Sequence, residues 1–187
     1  MFDAKLTRAI MDGRFEETEE GILFPRERAL AQGVFVYHKR GEPEEFAENM
    51  VVTQGRDYLL NVGLKGSAAA VNWFIAPFSG DVTVQATWTA ATFTASATEV
   101  TAYSSATRPA WTGGAVASGT VNSFAAKAEI AATSDGVVIR GAAMLSVAGK
   151  SATSGTLLAA ARFPSTKTLD TDEILDIGYG IQLLVAT

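Results

Sequence analysis

The chain has 187 residues, 48% of them apolar, with 15 Lys/Arg against 20 Asp/Glu and a formal charge of −5. That is enough apolar chain for one good core, and too little clustered basic charge for a phosphate-binding face, so nucleic acid is not an expected partner. No cysteine is present, which removes disulfides, thiolate nucleophiles and cysteine–zinc sites.

Charge is unevenly spread. Residues 1–66 carry 9 Lys/Arg and 12 Asp/Glu, whereas residues 67–187 carry 6 and 8. The opening MFDAKLTRAIMDGRFEE is charged throughout and has no apolar h-region, so no signal peptide is expected. The longest uncharged runs, between Asp81 and Glu99 and between Arg108 and Lys127, are rich in Thr, Ser, Gly or Pro and would be costly in lipid. The expectation is a soluble protein made in the cytoplasm, with no membrane partner.

In chain order, FDAKLTRAI places Phe2, Leu6, Ala9 and Ile10 on one side of a helix. The acidic EETEE follows at 16–20, and PRERALAQG then predicts a second helix, with Pro25 at its start and Gly33 as its stop. Helices this short need something to pack on, so they either pack on the body of the domain or form an arm that orders on a partner. The acidic run between them favours water, and residues 1–32 are expected to be a charged, partly helical arm. Residues 33–187 are expected to form the body. Within it, two strands at 34–39 and 45–52 flank a Gly-Pro turn at 40–44. TQGRDYLLNVGL reads as a helix with Thr53 as N-cap, Asp57 in its early turns, an apolar side of Leu59, Leu60 and Val62, and Gly63 or Gly66 as its end. The alternation of Val82, Val84, Ala86 and Trp88 with Thr83, Gln85 and Thr87 predicts a strand, and Val100 and Ala102 alternate with Glu99, Thr101 and Tyr103 in the same way. The more continuously apolar 136–147 predicts an inner strand, and 156–163 another. The last strand places Ile177, Tyr179, Ile181, Leu183 and Val185 on one face, and Gly178 and Gly180 on the other suggest close approach by a neighbouring backbone. The predicted class is mainly β: an antiparallel sandwich or jelly-roll-like body with a short helix.

Candidate chemistry is sparse. His38, the single histidine, lies beside Lys39 and Arg40 and is expected to face solvent; any Ser-His-Asp device would have to use it. Asp170, Asp172, Glu173 and Asp176 form an acidic turn with oxygen ligands suited to Ca²⁺, but without the pattern of an EF-hand, and such turns are commonly solvated. GKS at 149–151 lacks the upstream glycine of a phosphate loop, because position 144 is Met. Glu99, Glu129 and Asp135 have no visible pairing of the kind a glycosidase uses. Trp73, Trp88 and Trp111 admit a sugar-stacking reading, although tryptophans more often anchor cores and interfaces. Neither an enzymatic activity nor a cofactor is expected.

The stretch YSSATRPAWTGGAVASGTVNSFAAKAEI, followed by GAAMLSVAGKSATSGTLLAAARFPSTKTLDTDEILDI, resembles a widespread group of tailed-bacteriophage structural proteins. ENMVVTQGRDYLLNVGLKG and NWFIAPFSG are similar to that group's preceding segments, so the likeness spans roughly 33–187 and leaves 1–32 unmatched. What the resemblance implies is a virion protein without catalysis. Its expected role is a capsid cement (decoration) protein on the outside of the head, bound to the major capsid protein and to neighbouring copies of itself as a dimer or trimer. A tail, baseplate or fibre component is the alternative, and a carbohydrate-binding module a further one. The expected interface residues are Phe2, Leu6, Ile10, Phe15, Leu23 and Phe24 of the arm, with Arg108 and Trp111 of the 103–115 connection, where Pro109 and Gly113–Gly114 shape the chain. That connection is either an anchored loop within one subunit or part of a subunit contact.

Overall fold

The computed structural model describes residues 15–17, 23–25 and 29–185. The chain divides into two units, one of residues 1–31 with 183–187 and one of residues 32–182. In the first, β1 (Phe15–Glu17) and β2 (Leu23–Pro25) form an antiparallel hairpin pairing Phe15 with Pro25 and Glu17 with Leu23. Phe15, Leu23 and Phe24 therefore lie on strands, and Phe2, Leu6 and Ile10 fall outside the described residues. The helix expected from Pro25 to Gly33 is overturned. Pro25 ends β2, and Ala29–Lys39 is one long strand, β3. Gly33 lies within it because a Cβ there would come within 2.8 Å of the Gly180 carbonyl oxygen.

The larger unit is mainly β and sandwich-like. One five-stranded antiparallel sheet holds β4 (Glu45–Glu48), β3, β12 (Ile174–Val185), β8 (Thr120–Asn122) and β9 (Ala128–Ala131), the last two pairing with successive stretches of β12. The other runs β5 (Met50–Val51), β11 (Leu157–Leu169), β10 (Val137–Leu145), β6 (Trp73–Phe78) and β7 (Ala110–Trp111). The strand expected at 45–52 is thus split between sheets. Asn49 forms the corner, its backbone N–H donating to Gly33 and its side chain to the Tyr179 hydroxyl. Between the sheets, Tyr37 stacks on Phe163 with ring centroids 3.7 Å apart, and Phe35 packs on Tyr179.

The outer face of the second sheet carries its own core. Ala76, Ala143 and Ala160 are opposite one another across β6, β10 and β11, and make a floor of small side chains. Helix α2 (Ala90–Ala97) lies against this floor through Ala90, Phe93 and Ala97. A reciprocal capping box between Thr89 and Thr92 starts α2. Phe78 covers Gly141, where a Cβ would lie 2.1 Å from the ring.

Three sequence expectations change here. Residues 82–88 form no strand. Val84 and Trp88 are buried in the α2 core, whereas Ala86 is exposed. Residues 99–103 contribute only isolated bridges, Phe78–Glu99 and Tyr103–Ala132, with Tyr103 buried. Gly178 and Gly180 chiefly accommodate the Phe124 ring, which a Cβ on Gly180 would meet at 2.7 Å, and the Phe124 backbone comes no nearer than 3.6 Å to a Cβ on Gly178.

Helix α1 (Thr53–Lys65) forms where the sequence predicts it, with Gly66 as its left-handed C-cap at φ 67°. Its N-cap is Val52, not Thr53. The first backbone donors are met by neighbours instead, Val52 N–H by the Leu158 carbonyl and Thr53 N–H by Ala86. Of its expected apolar side, Leu59 and Val62 are half-buried and only Leu60 faces out. The buried residue of α1 is Gly55, pressed against the Leu158 backbone, while Leu60 is 57% and Leu64 81% exposed.

Candidate functional site

The connection between α2 and β7 is built around a buried ion pair. Glu99 and Arg108 are the only charged residues from Val82 to Ala126, and their side chains are fully buried against each other. Arg108 Nε and Nη2 donate to the two Glu99 carboxylate oxygens at 2.8 and 2.7 Å, a two-pronged contact. Nη1 reaches the Val147 carbonyl and Nη2 also the Ala152 carbonyl. The Ser151 N–H and the Thr94 hydroxyl complete the Glu99 shell. The GKS turn is part of this construction: Lys150 Nζ donates to the Thr101 and Tyr103 carbonyls and lies 3.6 Å from the Tyr103 ring centroid. Burial lowers the Lys150 pKa, and burial followed by the Glu99 charge raises that of Tyr103. Two opposite charges isolated among the 45 positions from Val82 to Ala126 were the sequence signal for this pair.

Trp111 continues the clamp. It pairs with Trp73 on the sheet edge, and its Nε1–H donates to the Tyr179 carbonyl of the opposite sheet at 3.0 Å. Gly113 lies against its ring, where a Cβ would come within 2.4 Å. Arg108, expected at an interface, is therefore committed inside the subunit, and Trp111 joins the two sheets at their edge. Trp88 is a core residue, edge-on to Phe78, and Trp73 meets Tyr58 edge-on.

The remaining candidates resolve into ion pairs and hydrogen bonds within the fold. His38 is not a solvent-facing residue: its side chain is 19% exposed, and Nε2 lies 3.6 Å from an Asp176 oxygen. Arg40 grips Asp176 through Nε and Nη2 and also reaches Glu129, and these two carboxylates raise its pKa, Asp176 the more. The acidic turn is dispersed. Asp170 accepts from Gly136 N–H, Glu173 pairs with Lys39, and Asp176 turns toward Arg40. Asp135 is held below its usual range by the Thr171 N–H and hydroxyl. At the β4 edge, Lys167, then Ser165 and Tyr37, hold the Glu45 carboxyl down at about 2.

Several large apolar side chains stand exposed on the described surface. Leu60 and Leu64 project from α1, and Val71 in the segment after it is 92% exposed. Phe46 on β4 is 61% exposed. A groove of about 440 Å³ runs beside α1, lined by Gln54, Asp57, Tyr58, Asn61, Ser67 and Ala68 among others. No protein-family model matches the chain, and no curated protein matches it.

Proposed function

We propose that this chain is a non-enzymatic structural protein of a tailed-phage virion, a capsid cement protein that binds the major capsid protein on the outside of the head beside copies of itself. The observation that carries this reading is how the chain uses its resembling segment. Arg108 and Trp111 of YSSATRPAWTGG clamp the two sheets and the 146–152 turn together, Gly141 seats Phe78, and Ala160 of GTLLAAARF lies under α2. These residues act as architecture, as a resemblance to structural proteins implies. Arg108 and Glu99, and Arg40 and Asp176, are engaged with one another, while Leu60, Leu64, Val71 and Phe46 stand in solvent. Exposed apolar side chains on a rigid body suit docking.

The indole N–H of Trp111 is spent on Tyr179 and its ring lies along Gly113, which favours an anchor over a sugar platform. Repeated over a lattice, modest contacts become a durable clamp through multivalency.

The test is add-back. Heads assembled without this protein are mixed with the purified chain and sedimented. Saturable co-sedimentation, with raised resistance of the heads to heat, is the expected result. A chain that stays in the supernatant at every concentration refutes the reading.

A further inference from the structure

We propose that the outer face of α1 is a twofold self-association surface, on which a second copy of this chain docks its own α1 antiparallel. The inference names the self-contact within the function proposed above, and its geometry holds wherever the protein resides.

The orientation of α1 is the starting point. A helix laid on a globular body normally turns its leucines inward. Here the inward side is Gly55, whose missing Cβ leaves room for the Leu158 carbonyl, with Tyr58, Leu59 and Val62 half-buried beside it, and Leu60 and Leu64 are left on the outside. These two are one turn apart and project side by side.

The surface is complementary to itself. Leu60 and Leu64 form a ridge, and the groove lined by Asp57, Asn61, Ser67 and Ala68 runs along its flank. A twofold axis passing near residue 62 puts each ridge over the other helix's groove, as an isologous contact requires. In that arrangement Leu60 of one copy faces Leu64 of the other. Asp57, near one end, comes within reach of the second copy's Lys65 at the opposite end. The antiparallel dipoles also attract. Asp57 and Lys65 make no ion pair with each other or with other described residues. The contact of two 13-residue helices with the segments after them is small, in the class below roughly 1,200 Å² that forms weak, reversible complexes. Such a dimer forms at high local concentration.

Sedimentation velocity of the full chain across a concentration series tests this. The wild type is expected to show a reversible monomer–dimer equilibrium. Leu60→Glu with Leu64→Glu is expected to be monomeric throughout, with its thermal transition retained because both sites are exposed. Asp57→Lys and Lys65→Asp are each expected to weaken dimerisation by on the order of tenfold. An equimolar mixture of these two single variants is expected to recover it, since both inter-copy pairs are then opposite in sign. A wild type that remains monomeric to millimolar concentration, a Glu/Glu variant that dimerises normally, or a mixture no stronger than its components would each overturn the proposal. So would loss of capsid binding in the Glu/Glu variant with self-association unchanged, which would assign the face to the capsid.

Discussion

Replacing Arg108 with Met keeps most of the side chain's length and removes its guanidinium. Glu99 would then be fully buried with only the Ser151 N–H and the Thr94 hydroxyl as partners. Removing one member of a buried pair costs about 3–5 kcal/mol, because the other charge is left in a medium that cannot solvate it. For a chain of this size each kcal/mol lowers the melting temperature by roughly 2–4 °C, so the expected drop is roughly 6–20 °C. Thermal and urea unfolding followed by circular dichroism would measure it. Glu99→Gln alone should also destabilise, stranding the cation. The double variant Arg108→Met, Glu99→Leu should be milder than Arg108→Met alone, since an apolar pair of similar volume needs no desolvated charge. A loss below about 1 kcal/mol for Arg108→Met, or a double variant whose cost is the sum of its singles, would refute the account of this clamp.

Further expectations concern packing and pH. Gly141→Val should cost about 1–3 kcal/mol or more, because Phe78 and the Ala161 carbonyl occupy the space a side chain would need; wild-type stability in urea would contradict the packing described. Trp111→Phe keeps an aromatic ring and deletes the bond to Tyr179, so a loss of about 1 kcal/mol is expected, with Trp111→Ala losing clearly more. The Glu45 carboxyl is depressed to about 2 from an ordinary value of 4.5, so its contribution is present above pH 4.5 and lost as pH falls toward 2. Glu45→Gln should therefore flatten the fall of melting temperature across that window, and an unchanged slope would remove Glu45 from the acid response.

The parts of the fold legible in the sequence were those where local pattern and tertiary role agree. The apolar run 137–145 is a central strand, and the break between strands at 40–44 is a real turn. The α1 helix follows its sequence signals up to Gly66. Elsewhere tertiary context overrode pattern. Ala29–Lys39 begins with good helix formers but pairs between β4 and β12. The alternation at 82–88 is genuine, yet it serves a loop that places Val84 and Trp88 under α2 and has no partner strand. Helix α2 itself, AATFTASA, is rich in Thr and Ala, so its buried stripe of Ala90, Phe93 and Ala97 barely stands out from the small residues around it, and its capping box is the clearer mark. Of the candidate site, Trp111 was legible as an anchor. The partner of Arg108 was not identified, because the eight residues between it and Glu99 fold back through irregular chain that no periodicity describes.

The most direct measurement is a reconstruction, at a resolution that traces backbone, of tailed-phage particles purified from cells that carry the gene for this chain. The account predicts density for the two-sheet body, repeated over the outer surface of the head and in contact with the major capsid protein. Density for this chain confined to the tail, or missing from the particle, would contradict it.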